Sequence, residues 1–289
     1  MKEKLQVSIL RTVGAYTVFS LLWIFLTDQF VFSISKDIDT LVNWQTIKGV
    51  IFVLSSAIFL FVLLWNETKQ REKSWLAYQE ERENLIAQLK ASNDKLTDAW
   101  DATIKGWSQT IELRDADTRH HSDRGIELTV AIAKKMGIQD PVELQHLRWG
   151  ALLHDIGKIG IPDSILKKPG RLTPQEREIV NQHPVLAAEL LEGVEYLKSV
   201  TDIPLYHHER WDGSGYPHGL KGEEIPLTAR VFSVVDVWDA MTSDRPYRDA
   251  ISQFDAINYI SEQSGKHFDP QVVLIFLKLI NESNSQDTP

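Results

Sequence analysis

Two histidines stand side by side at His207 and His208. The loop they open, HHERWDGSGYPHGLKGEEIP over 207–226, is dense in glycine, proline and carboxylates. Such punctuation marks a loop rather than the interior of a helix or strand. Neighbouring neutral imidazoles are common in metal sites, and a metal is one way to hold such a loop in shape. Residues of the same chemistry lie elsewhere in the chain. Asp117 and His121 are four apart and share one helix face; taken alone, they read first as a hydrogen-bonded pair and second as a ligand pair. His154 ends the apolar stripe of Leu144, Leu147 and Ala151, so it faces inward at a helix end, followed at once by Asp155. Gly157, Gly160 and Pro162 then stop that helix. His183 precedes Pro184, which suits the first turn of a new helix; by itself it reads as a surface histidine. Asp236 shares a stripe with Ala229, Phe232 and Asp239, among Val231, Val234 and Val235. A buried, unpaired carboxylate is costly, so Asp236 calls for a cation.

Five histidines and two or three aspartates in one domain are more ligands than one ion takes, which implies two metals or three. The chain has no cysteine, so thiolate zinc sites and iron–sulfur clusters are excluded. Imidazole and carboxylate donors suit iron, manganese, zinc or magnesium. A net charge of −9 argues against a binder of nucleic-acid polymers that works by neutralising phosphates. It leaves room for a small basic pocket.

These side chains need a scaffold. From residue 105 to 289 apolar residues recur at helical spacing without strand alternation, so the domain is expected to be all-α. Residues 67–104 contain neither proline nor glycine. Trp75, Tyr78, Arg82, Leu85, Leu89, Ser92, Leu96, Ala99 and Thr103 follow a three-and-four spacing, the seam of a coiled coil. A parallel homodimer is expected there, weakened by Arg82 and Ser92; a single solvated helix is the alternative. Residues 1–66 differ again. Thr12–Thr27 is uncharged, and so is Gly49–Trp65, which covers roughly 26 Å as a helix, enough for a thin hydrocarbon core. Lys2, Lys4 and Arg11 precede the first run, and Lys69, Arg71 and Lys73 follow the second. The positive-inside rule then gives two transmembrane helices, residues 28–46 looping outside and the catalytic part in the cytoplasm. A cleaved signal peptide or two soluble core helices are the competing readings.

The stretches HDIGKIGIP (154–162), HHERWDGSGYPHGLKGEEIPLTAR (207–230) and DVWDAMTSDRPYR (236–248) resemble the HD-GYP family. Its members are bacterial phosphodiesterases of cyclic di-GMP within the HD metal-phosphohydrolase superfamily. The likeness covers about residues 105–280. It implies an α-helical bundle with His121, His154, Asp155, His183, His207, His208 and Asp236 as metal ligands. Asp117 stands where some members carry a glutamate that supports a third metal. Two or three divalent ions are implied, iron or manganese foremost. The resemblance also implies catalytic roles for Lys158 and Asp155, and a place for Lys158, Arg245 and Arg248 at the substrate phosphates. The Gly215-Tyr216-Pro217 corner is intact, which favours an active enzyme yielding pGpG or GMP, with a GGDEF-type cyclase as an expected partner. The front end resembles membrane regions of bacterial signalling proteins, which implies the inner membrane. The rivals are hydrolysis of another cyclic nucleotide, a non-catalytic cyclic di-GMP receptor, and a purely structural metal site.

Overall fold

The computed structural model describes residues 2–35, 37–114, 123–244 and 249–286. Asp117, His121, Arg245 and Arg248 fall outside them. Apart from an isolated bridge between Ser264 and Phe268, the described residues form helices and turns, so the expected all-α class holds. The chain divides into two compact units, Met1–Asn93 and Asp94–Pro289.

The first unit is a helical hairpin. Helix α1 (Lys2–Ile34) lies antiparallel to the opening half of α2 (Ile38–Arg114). Phe19 stacks on Phe59 with ring centroids 4.5 Å apart, Trp23 meets Phe52, and Thr12 donates to Glu67. The stretch expected as an external loop, 28–46, is helical except for the link near Ser35 and Asp37. It contains no proline or glycine to stop a helix. Asp37 restarts the chain by accepting the Thr40 amide at 2.7 Å, and an Asp28–Lys48 ion pair ties the two arms. Both helices are long and apolar enough to cross a membrane, and almost none of their apolar windows is buried. Leu21, Phe25, Val53 and Phe61 are all exposed. Beyond the hairpin α2 continues as one helix to Arg114, with Trp75, Tyr78, Leu85, Leu89 and Leu96 exposed along it.

The second unit begins within α2. Ile104 and Ile111 are buried with Trp149, Leu153, Ala187, Leu191 and Leu197, and Asp101 accepts hydrogen bonds from the Trp149 indole and from Gln145. The boundary expected at 104/105 thus falls inside a continuous helix. There follow α3 (Asp123–Lys135), α4 (Pro141–Leu153), a 3-10 turn (Ile156–Gly160), α5 (Asp163–Leu166), α6 (Pro174–Val180), α7 (His183–Glu192), α8 (Asp202–Tyr206), α9 (Leu227–Thr242), α10 (Gln253–Glu262) and α11 (Pro270–Gln286). Local chemistry explains several starts. Asp140 caps α4 through the Val142 amide with Pro141 behind it, and Thr173 and Glu176 form a reciprocal capping box on α6. The main core gathers Ile132, Leu147, Val231, Val234, Phe268, Val272 and Phe276 from α3, α4, α9 and the region of α11.

Candidate metal centre

His154 is the C-cap of α4, Asp155 follows it, His183 opens α7 and His207 is the C-cap of α8. Four helix ends therefore deliver the cluster. One approach depends on a single missing methyl group. A Cβ on Gly157 would stand 1.9 Å from the His183 carbonyl oxygen and 2.6 Å from the Ala187 amide nitrogen. Only glycine lets the backbone of the 3-10 turn lie against the start of α7, and that contact carries His183 inward. His183 is consequently 1% exposed, not the surface residue its isolated position in the sequence suggests.

The donor atoms lie at bonding separations for a shared ion. His154 Nε2 is 3.2 Å from Asp155 Oδ2, His183 Nε2 is 3.3 Å from Asp155 Oδ1, and His183 Nε2 is 3.5 Å from His207 Nε2. Ligands about 2.1 Å from one cation stand roughly 3.0–3.4 Å apart in octahedral or tetrahedral geometry. Two overlapping groups, His183–His207–His208 and His154–Asp155–His207, each bring their ligand atoms within 4.8 Å of one another. Orientation agrees with spacing. Nδ1 of His154 lies 2.8 Å from the Ala151 carbonyl oxygen, Nδ1 of His183 lies 2.8 Å from that of Val180, and Nδ1 of His207 lies 3.1 Å from those of Ile203 and Pro204. Each Nδ1–H donates to the main chain, so each Nε2 lone pair is turned toward the cluster, the arrangement that orients metal-bound histidines. The residues present fit divalent cations.

The electrostatics point the same way. Burial opposes ionisation of Asp155, yet the Lys158 ammonium and the neighbouring His154 hold its carboxyl well below the usual range. Burial pushes His207 down to about 3, helped by repulsion from His154 and His183, and burial and His207 lower His208 as well. Both are therefore neutral donors at physiological pH. His154 goes the other way: burial disfavours its cation, but Asp155 and Asp236 outweigh that.

Asp236 differs from expectation. It is half-buried, and Asp239 is the carboxylate that is buried. Val231, Val234 and Val235 point into the core, whereas Phe232 lies against the rings of His154 (4.9 Å) and His207 (6.3 Å). Asp236, one turn beyond Phe232, extends that same face toward the imidazoles, and its charge raises the proton affinity of both.

The loop at 207–226 encloses the other side. Tyr216 lies 4.8 Å from the His208 ring, and its amide donates to the His208 carbonyl. A Cβ on Gly215 would sit 2.4 Å from the Arg210 nitrogen, and Gly213 turns the chain at φ 83°. The residue that pins this loop has no signature in the sequence. Glu209 is 2% exposed and accepts the amides of His218, Gly219 and Leu220 at 2.7, 3.0 and 3.1 Å. Its partners are main-chain groups, so no residue spacing could reveal them. Lys158 reaches the cluster edge, with Nζ 2.8 Å from Asp155 Oδ2.

Residues 105–272 match the family described as HD domain. The chain is 46% identical over 173 residues to a cyclic di-GMP phosphodiesterase of Thermotoga maritima, covering 59% of this chain and 47% of the relative. It is 40% identical over 197 residues to the cyclic di-GMP phosphodiesterase response regulator RpfG of Xanthomonas campestris, covering 68% and 52%. Identity falls to 32% over 197 residues with 3'3'-cGAMP-specific phosphodiesterase 2 of Vibrio cholerae, covering 68% and 36%. The chain spans about half the length, or less, of these curated relatives.

Proposed function

This chain belongs to the HD domain family, in its HD-GYP branch, and from that premise we propose that it is a membrane-anchored, metal-dependent phosphodiesterase opening cyclic di-GMP. The observation that carries the reading is the convergence of His154, His183 and His207, each with Nδ1 tied to the main chain: His154 and His183 meet the two oxygens of Asp155, and His207 meets His183. Oδ1 faces His183 and Oδ2 faces His154, so Asp155 would offer one oxygen to each side of the cluster. His208, Asp236 and, outside the described residues, His121 and Asp117 complete a ligand set for two or three ions, with iron or manganese suited to the donors. Such ions, when bound, would supply an acidified water and polarise a phosphoryl oxygen. Lys158 stands where it can hold a non-bridging phosphate oxygen or give a proton to the leaving 3′ oxygen. Arg245 and Arg248 neutralise phosphate charge. Burial and the nearby Asp155 raise the Tyr216 phenol, so Tyr216 offers a hydrogen-bond donor and not a base. Cleavage gives pGpG, and a second cut gives GMP.

The higher identity to relatives named for cyclic di-GMP than to the one named for cGAMP supports the former substrate. Residues 1–66 act as a two-helix anchor in the bacterial inner membrane, supported by apolar faces that nothing in the hairpin covers. The basic flanks favour a cytoplasmic catalytic unit at 105–289. Residues 67–104 pair with a second copy through the exposed seam, and a GGDEF-type protein supplies the substrate. The test uses the full chain purified anaerobically in detergent, with elemental analysis and a cyclic dinucleotide panel. Chelator-sensitive conversion of cyclic di-GMP, faster than of 3'3'-cGAMP, is expected. A metal-loaded protein that cleaves neither would refute the reading.

A further inference from the structure

We infer that Arg114, on the last turn of α2, is a positioning residue for Lys158 and Asp155. Its guanidinium grips the far side of the turn that carries them. Nη1 donates to the carbonyls of Lys158 and Ile159 at 2.9 and 2.8 Å, and Nη2 to that of Ile161 at 2.6 Å. Nε and Nη2 both reach Asp163 Oδ1, at 2.9 and 2.7 Å. All three nitrogens are engaged, and three of the five contacts go to main-chain oxygens at the end of a 3-10 turn, where carbonyls lack full partners within the turn.

The turn is thereby held from two directions. Ile156 sits beneath it in the cluster that also contains Ile104 and Ile111 of α2, and Arg114 closes over its end. Lys158 is the hinge of the arrangement: its carbonyl goes to Arg114 and its ammonium to Asp155 Oδ2. Arg114 therefore acts through Lys158. A lysine at position 114 cannot replace it, because one ammonium cannot span three carbonyls and a carboxylate with the rigid fork of a guanidinium. The last turn of the long helix and the Lys158-bearing turn behave as one body, and a shift of the helix end moves the ammonium relative to the imidazoles.

The inference rests on the proposed role of Lys158 in phosphodiester cleavage, so its test has an arm that needs no substrate. The full chain in detergent is prepared as wild type, Arg114→Ala and Arg114→Lys, each with and without Lys158→Ala. Manganese-dependent turnover of cyclic di-GMP, bound manganese and amide hydrogen exchange over 155–166 are measured. Both Arg114 variants should lose about 10- to 100-fold in kcat, the cost of misplacing a group by roughly 1 Å. Bound manganese and KM should stay within about twofold. In the Lys158→Ala background the further loss should shrink to about twofold or less, since both changes act on one element. The Lys158 and Ile161 amides should exchange about tenfold faster or more, while those of α9 keep their protection. Unchanged exchange overturns the inference, as do a kcat within about threefold of wild type or losses that multiply with that of Lys158→Ala. Should wild type fail to cleave cyclic di-GMP while the exchange effect is present, the substrate reading falls and the positioning role stands.

Discussion

Gly157→Ala should weaken metal binding without unfolding the protein. The added Cβ would lie 1.9 Å from the His183 carbonyl oxygen, where ordinary contact begins at 3.4 Å. The start of α7 and the turn must therefore separate by 3.4 − 1.9 = 1.5 Å along that line. The obstacle is backbone, so no side chain can swing aside. His183 Nε2, now 3.3 Å from Asp155 Oδ1 and 3.5 Å from His207 Nε2, would move with the helix. Metal–ligand bonds tolerate deviations of about 0.2 Å, so a shift several times larger removes His183 from the site. Overpacking of this kind costs about 1–3 kcal/mol, or roughly 2–12 °C in melting temperature for a domain of this size. Manganese titration by calorimetry, with circular dichroism on the same samples, should show metal affinity reduced by about tenfold or more and helicity retained. Gly160→Ala is the control. The nearest atoms to its Cβ would belong to the Leu186 side chain, the closest at 2.9 Å, and a flexible side chain can yield. Wild-type affinity and stoichiometry in Gly157→Ala would refute the account of how His183 is placed.

His154→Ala or Asp155→Ala should abolish cyclic di-GMP hydrolysis while the far-ultraviolet circular dichroism stays close to wild type; retained turnover would reject both as parts of the centre. Glu209→Ala removes the acceptor of the His218, Gly219 and Leu220 amides, hydrogen bonds to a charged group that are worth about 1–3 kcal/mol each. A lower melting temperature and faster proteolysis within 210–222 should follow, and an unchanged melting curve would show that the loop is held otherwise. Acid should destabilise the metal-free protein. His207 is lowered from 6.5 to about 3, so below pH 6.5 the unfolded imidazole takes up a proton that the folded one refuses. Stability present above pH 6.5 is then lost as pH falls toward 3, at about 1.4 kcal/mol per pH unit. His208 acts in the same direction. His154, raised by Asp155 and Asp236 against its burial, contributes stability that is fully present below pH 6.5 and is lost only as pH rises above it. Thermal melts of the chelated protein between pH 7.5 and 4.5 should fall on the acid side; flat melts would mean charged imidazoles in the cluster.

The helical class and most of the cluster could be read from the chain because they are written in local terms. His154, Asp155, His207 and His208 announce themselves by residue type at helix ends and in a glycine-rich loop. His183 does not, since its burial is decided by the side chain that Gly157 lacks, far away in sequence. On α9 Asp236 and Asp239 are three apart and almost equivalent as a periodic pattern. Which of them is buried depends on how the helix is rotated against α3 and the imidazoles, and periodicity carries no such information. Residues 28–46 show a different gap: an external loop was expected, but with no proline or glycine in the stretch the helices run on to Ile34 and resume at Ile38. Glu209 and Arg114 bond to main-chain atoms, and main chain is the same at every position.

The anchoring of each Nδ1 to a carbonyl has a further meaning. The entropy of ordering the three rings falls on folding rather than on metal capture, so an incoming ion meets a cage already cut to size. A divalent cation entering such a cage would need no reordering of the three rings, whichever first-row metal it is.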